Sequence, residues 1–201
     1  MTTIEEWAKK AQALKAKGLT DMEIAEELHL SPETIEWLLT KRETEEKPPA
    51  DVKIGWRSVG VMGGRIELLS ALMVDVVEEE MKKRNIDVEI VVGLAMNGIP
   101  LATMISAMME KELTIYRPIK KGNGQSGNFM SNYASVEGKT ALLVDDVIGT
   151  GRTMTSAIKS LREAGGRPGL VMVIVNKTPY NEIEGVPLRA LIRARAVAGH
   201  P

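Results

Sequence analysis

Four short apolar runs dominate the C-terminal three-quarters of the chain: VEIVVG (88–93), LTIYR (113–117), ALLVDD (141–146) and GLVMVIVN (169–176). Each is the length of a strand and none alternates with polar residues, as expected when both faces of a strand are covered. Helical patterns separate them. Residues 65–83 place Ile66, Leu69, Leu72, Met73, Val76 and Val77 on an inward face, GIPLATMISAMM follows the first run, and Thr153 to Ala164 follows the third. Strands alternating with helices predict an α/β fold, a parallel sheet with helices on both faces. In such sheets ligands sit beyond the carboxyl ends of the strands. Asp145 and Asp146 end one of them.

A different pattern precedes this region. Over residues 4–17, Ile4, Trp7, Ala8, Ala11 and Leu14 share a helical face, and Gly18 supplies a stop. Thr20 and Glu23 have the spacing of a capping box. The helix they open, over about 21–28, presents Ile24, Ala25 and Leu28. Ser31 and Pro32 suit the start of a third helix with Ile35, Leu38 and Leu39 inward. Three short helices with tight turns predict a small all-α helix-turn-helix domain over residues 1–44. Its third helix would present Glu33, Thr34, Trp37, Thr40, Lys41 and Arg42 to double-stranded DNA; a plain three-helix packing module is the other reading. Residues 1–50 hold seven basic and eleven acidic residues, a sign opposite to what phosphate binding favours. Affinity for DNA would then need local clustering, help from Arg57 and Arg65, or a dimer.

Residues 43–52, ETEEKPPADV, read as a charged, proline-bearing linker, and 53–64 as a wing of the first domain or an entry strand of the second, so that the linker and possible wing are placed at 45–62. The second domain is expected over 63–201. Composition narrows the rest. With 44% apolar residues in 201 the chain can bury a core, and a net charge of −1 marks neither a general polyanion binder nor a disordered chain. Without cysteine there is neither a disulfide framework nor a thiolate metal site. The amphipathic, charged N-terminus is unlike a signal peptide, and no apolar run reaches the about 20 residues of a membrane span. We expect a cytoplasmic protein.

The chemistry concentrates in LLVDDVIGTGRT, Leu142 to Thr153. A loop between strand and helix offers backbone N–H groups to an anion, Gly149 and Gly151 allow close approach, and Thr150 and Thr153 add hydroxyls. That pattern describes a phosphate cradle, without the Gly-Lys-Ser/Thr ending of a Walker loop. The adjacent carboxylates suit sugar hydroxyls, and a bound Mg2+ would help keep them ionised. A phosphorylated ribose carries both kinds of group. A structural acid pair beside a capped loop is the plainer alternative.

The segment ALLVDDVIGTGRT closely resembles the phosphoribosyl-pyrophosphate motif of type I phosphoribosyltransferases, with Gly149 where Thr or Tyr is usual and Arg152 in place of a common Gly. GLAMNGIPLA, Gly93 to Ala102, is similar to the pyrophosphate loop of orotate phosphoribosyltransferases. The resemblance implies that Ala95, Met96, Asn97 and Gly98 wrap a diphosphate, that Asp145 and Asp146 hold ribose hydroxyls, and that Gly149, Thr150, Gly151, Arg152 and Thr153 hold the 5′-phosphate. Mg2+ would arrive with the ligand.

Between two strands lies YRPIKKGNGQSGNFMSNYASVEGK (116–139). Its Gly-x-Gly-x-x-Gly spells a dinucleotide fingerprint, but Asn128 to Ser135 does not read as the helix that fingerprint needs. The segment resembles the hood loop of orotate phosphoribosyltransferases, which carries lysines and an acidic–histidine pair. Lys120 and Lys121 persist here, whereas no histidine lies in the loop and Asn123, Gln125 and Asn128 are neutral. Stabilising charge in the transition state is usually the largest catalytic term, so this depletion weakens catalysis without touching ligand binding. Phe129 or Tyr133 could stack a base or serve the core.

The whole chain, including GLTDMEIAEELHLSPETIEWLL and WRSVG (56–60), resembles the archaeal glucose–fructose central-metabolism regulator family. The resemblance implies a homodimeric DNA-binding regulator whose phosphoribosyltransferase-like domain senses phosphoribosyl pyrophosphate or a nucleotide. An active orotate phosphoribosyltransferase with an appended helical domain, using Lys120 or Lys121, is the alternative. A purine-salvage transferase whose N-terminal helices serve assembly is a third reading.

Overall fold

The computed structural model describes residues 4–28, 30, 32–40, 52–121 and 124–195, without the side chains of Glu26, Pro32, Glu33, Lys120, Lys121 and residues 124–126. Contacts divide the chain between Gly55 and Trp56 into two compact units.

The first unit holds three helices, α1 (Ile4–Ala16), α2 (Asp21–Leu28) and α3 (Pro32–Thr40). The capping box forms as spaced: the Thr20 amide donates to Glu23 Oε2 at 2.7 Å and the Glu23 amide to Thr20 Oγ1 at 3.4 Å. Ala11, Ile24, Ala25, Leu28, Ile35 and Leu38 make the core. The expected outward set on α3 needs correction. Thr34 is only 7% exposed and Trp37 packs partly buried against the core. Thr34 stands four residues before Leu38, so helical geometry carries it to the same stripe whatever its polarity. Among the described side chains of α3, the exposed ones are Glu36 and Thr40. Lys41 and Arg42 lie outside the described residues, as does the Glu33 side chain.

The second unit opens with one helical turn, α4 (Arg57–Gly60), followed by α5 (Gly63–Arg84). Neither a wing nor an opening strand forms over 52–62. The Trp56 carbonyl instead accepts from the amides of Val59 and Gly60 at 2.9 and 3.0 Å, closing a turn. Helix α5 runs 22 residues and ends at Asn85 in the left-handed region (φ 52°), with Lys82, Lys83 and Arg84 in its last turn complementing the dipole. Its buried stripe is Ser70, Met73, Val77 and Glu80. Leu72, expected inward, is 60% exposed and lies one turn from Leu68, 71% exposed. The two leucines form a second stripe of their own, away from the buried one.

Seven strands form one sheet, ordered β3 (Gly124–Phe129), β2 (Glu112–Lys121), β1 (Ile90–Leu94), β4 (Thr140–Ile148), β5 (Arg167–Asn176), β7 (Val186–Arg193) and β6 (Glu182–Ile183). The five central strands are parallel, and β3 and β6 pair antiparallel at the edges. Helices α6 (Gly98–Met109) and α7 (Arg152–Glu163) follow β1 and β4. The sheet departs from expectation in two places, and no helix follows the Gly-x-Gly-x-x-Gly pattern, as expected. β2 continues to Lys121, and Gly124–Phe129 is a strand, β3, paired antiparallel with it. β6 and β7 complete the far edge. Phe129 packs on Tyr116 with ring centroids 5.5 Å apart, a core role, while Tyr133 is exposed. Among the described residues no helix is long and apolar enough to cross a membrane.

Glu80 is a fully buried carboxylate on α5. Arg84 Nε donates to it at 2.7 Å, and Arg189 of β7 and Lys83 stand at 3.5 and 3.6 Å. The Arg84 hydrogen bond first, then the neighbouring charges, hold its carboxyl below the usual range against the opposing push of burial. We expect Glu80→Gln to lower stability by about 2 kcal/mol near neutral pH, part of the pair's worth being screened at the exposed cations. A depressed carboxyl stabilises above its unfolded pKa and loses that contribution as pH falls through the folded value. Urea unfolding should therefore show a gap between variant and wild type that closes in acid.

Candidate functional site

The parallel order puts β1 between β2 and β4. From β1 the chain crosses by α6 to β2 on one side, then returns to β4 on the other. This reversal leaves a crevice beyond the carboxyl ends of β1 and β4, the usual binding place in an open parallel sheet. β4 runs on to Ile148, so Asp145 and Asp146 lie within the strand rather than ending it as expected; since Gly93 pairs with Val144, they stand beside the loop after Leu94.

Close packing shapes the β1 side. A Cβ on Gly98 would lie 2.4 Å from the Val144 carbonyl oxygen and 3.1 Å from the Asp145 Cα. Only glycine lets the start of α6 lie this near β4. Ala95, Met96 and Asn97 form the loop between them, and the Ala95–Met96 peptide is cis. The Ala95 amide is held by the Tyr116 carbonyl at 2.9 Å, and the Met96 side chain is 78% exposed. Asn97 precedes α6 without capping it. Its amide nitrogen donates instead to Asp146 Oδ2 at 3.1 Å. No side chain in this loop is cationic.

On the β4 side the two acids differ. Asp145 is half-buried, and its Oδ1 accepts the Asp146 amide at 2.9 Å. Asp146 is 5% exposed. Its Oδ1 accepts the Val147 amide at 2.8 Å, and its Oδ2 accepts from both Asn97 and the Trp56 indole, the latter at 2.8 Å. A buried carboxylate needs such donors to remain charged.

Beyond Ile148 the chain turns through Gly149 and Thr150 to Gly151, whose φ of +80° suits glycine. A Cβ on Gly149 would meet no atom within 4 Å, so the fold itself leaves that position open. α7 then begins at Arg152 with no side-chain cap and no acid in its first turn. Thr150 Oγ1 lies 3.5 Å from the Arg152 amide. A helix start carries a positive partial charge, which suits a phosphate.

The structure thus brings Ala95 to Gly98, Asp145, Asp146 and Gly149 to Thr153 to one edge of the sheet. Lys120 and Lys121 lie on β2 beyond its pairing with β1, and their side chains are outside those described. Among the described residues no group of three or more His, Asp or Glu side chains could cage a metal. Sequence reasoning missed Trp56. It also missed the turn after β5, where buried Asn176 Oδ1 accepts from the Thr178 amide and hydroxyl, both at 2.8 Å, and Asn176 Nδ2 donates to the Tyr180 carbonyl, leaving the Tyr180 ring exposed. The Asn-x-Thr-x-Tyr spacing was the only local signal for that turn.

A parallel sheet with this switch point, an acid pair and a glycine-bearing loop before a helix suits a domain of the phosphoribosyltransferase type. The family model for the phosphoribosyl transferase domain matches residues 65–190. The chain belongs to that family and, along its whole length, to the GfcR family of transcriptional regulators. It is 47% identical over 199 residues to "Transcriptional regulator GfcR" of Thermoplasma acidophilum, covering 99% of this chain and all of that one. It is 40% identical over 197 residues to the protein of that name from Archaeoglobus fulgidus, covering 96% and 98%. Among solved structures it is similar to the orotate phosphoribosyltransferase of Aeropyrum pernix, with a TM-score of 0.59 and 23% identity over 71% of this chain and 80% of that one. The adenine phosphoribosyltransferase of Rhodothermus marinus shares the fold at a TM-score of 0.57 and 18% identity, over 87% and 98%.

Gly98→Ala should displace α6 from β4. We expect a loss of about 1–3 kcal/mol in thermal or urea unfolding. A variant as stable as wild type would mean that the approach is not constrained as described.

Proposed function

We propose that this chain is a DNA-binding transcriptional regulator whose phosphoribosyltransferase-like domain senses phosphoribosyl pyrophosphate or a nucleotide. The observation that carries this reading is the union of an acid pair and an uncapped helix start at one crevice, in a chain aligned end to end with proteins named as transcriptional regulators. Asp145 and Asp146 accept from ribose hydroxyls, and the Gly149–Thr153 turn takes the phosphate. Mg2+ would come with the ligand, held chiefly by phosphate oxygens as small, strongly hydrated cations are.

The three-helix unit supplies DNA contact in helix-turn-helix manner. α3 is the recognition helix, with Thr40 facing phosphate or base edges and Lys41 and Arg42 following it in the sequence. The exposed described part of α3 includes an acid, Glu36, so basic residues after Thr40 carry the electrostatic share. Two copies satisfy the symmetry such regulators use, with recognition helices about 34 Å apart. The exposed Leu68 and Leu72 stripe on α5 supports a dimer formed through the second unit. The hood segment, without histidine and with neutral Asn123, Gln125 and Asn128, and the cation-free Ala95–Gly98 loop support sensing over catalysis.

The test is a titration of full-length protein against promoter DNA at two salt concentrations, with and without magnesium phosphoribosyl pyrophosphate or a nucleoside monophosphate. We expect salt-sensitive, sequence-specific binding that shifts with one of these ligands. Asp145→Asn combined with Asp146→Asn should abolish the shift while leaving the fold and basal DNA binding intact. Absence of DNA binding in every condition, together with orotate consumption in an absorbance assay, would establish the enzyme instead. Separately, Leu68→Glu with Leu72→Glu should convert a dimer to a monomer in analytical ultracentrifugation. A variant still dimeric would place the interface elsewhere.

A further inference from the structure

Asp146 Oδ2 has two donors, the Trp56 indole at 2.8 Å and Asn97 at 3.1 Å. A carboxylate oxygen offers about two lone-pair sites, so this oxygen is fully used by the protein. Oδ1 is engaged by the Val147 amide of its own strand. A sugar hydroxyl that donates to Oδ2 must therefore replace one of the two side chains.

The two differ in how firmly they are held. Asn97 stands at the head of α6, a twelve-residue helix that buries Gly98, Leu101, Ala102, Ile105 and Ser106. Its backbone is fixed there by the packing of the helix, while its side chain is exposed. Trp56 stands at the head of α4, a single turn with no buried residue. Its ring rests on Gly60, where a Cβ would come within 2.9 Å of the six-membered ring. Elements with few buried contacts open at the lowest cost. Trp56 is the donor that yields.

Its position in the chain gives the exchange a consequence. Only Ile54 and Gly55 stand between Trp56 and Lys53. The Lys53 ammonium lies 3.6 Å from the centroid of the Trp7 ring on α1, with Lys10 at 4.9 Å. Such a contact anchors the segment to the helical unit. One short stretch of chain thus carries an anchor to α1 and a hydrogen bond to the acid of the effector crevice.

We propose that Trp56 is an internal competitor for the diol subsite. Its indole N–H occupies Asp146 Oδ2 until a phosphorylated ribose bearing a vicinal diol replaces it, and the release of Trp56 alters the segment that begins at Lys53. A ligand acts on such a two-state element by its preference for one state, and the state with Trp56 released is the one the diol binds. The inference rests on reading Asp145 and Asp146 as the ribose site.

Two measurements on the full-length chain test it. The first is calorimetric titration of wild type and Trp56→Phe, which keeps a ring and removes the N–H, with magnesium phosphoribosyl pyrophosphate and with ribose 5-phosphate. Loss of the competitor should tighten binding about tenfold, the effect of one hydrogen bond to a charged acceptor. The second needs no substitution in the protein observed. The indole N–H signal of Trp56, assigned by its disappearance in the variant, should move upfield when ligand is added to wild type, as a hydrogen bond to carboxylate is lost. Equal or weaker binding by the variant, or an indole signal that stays in place as wild type saturates, overturns the proposal and leaves the ribose site standing. No binding of either probe by either protein overturns both.

Discussion

The carboxyl edge of the sheet depends on how closely the start of α6 lies against β4. Gly98 sits where even a methyl group would meet the Val144 carbonyl. This contact sets the distance between the Ala95–Asn97 loop and the two acids. It places the Asn97 amide within reach of Asp146 and leaves the helix start facing the same crevice as the start of α7. With a wider gap the acid would lose a donor, and the two anion-attracting ends would cease to face one ligand.

The second constraint is electrostatic. Asp146 is nearly buried, and a charge taken from water without donors is costly. The chain satisfies it with one strand amide, one loop amide and one indole. Asp145 keeps more exposure, and its Oδ1 accepts the neighbouring amide. Adjacent residues on one strand thus differ in burial.

Among the described side chains of the same crevice, Ala95, Met96 and Asn97 carry no charge, and Arg152 stands at the head of α7. Helix starts add a positive partial charge there. The core of the helical unit is six small or aliphatic side chains, and its surface contacts are short-range, including the capping box and the Lys15–Asp21 pair at 2.7 Å.

Much of the molecule is legible in the sequence because its signals are local. The apolar runs at β1, β2, β4 and β5, the caps of α2 and the acid–glycine–threonine succession each state their structure within a dozen residues. Hydropathy alone misassigned Thr34 and Leu72, since helical phase rather than polarity decides which face is buried. The β3 hairpin and the β6–β7 edge were not legible, because edge pairing is settled by the strand alongside. Trp56 was least legible of all: its partner lies 90 residues away, and nothing near WRSVG points to it. The sequence by itself determined the order of acids, glycines and threonines along an apolar strand and the loop after it. Only the tertiary structure decided that the indole of Trp56 shares a carboxylate oxygen with Asn97, because hydrogen bonds between distant segments exist only once packing has set the distances between them.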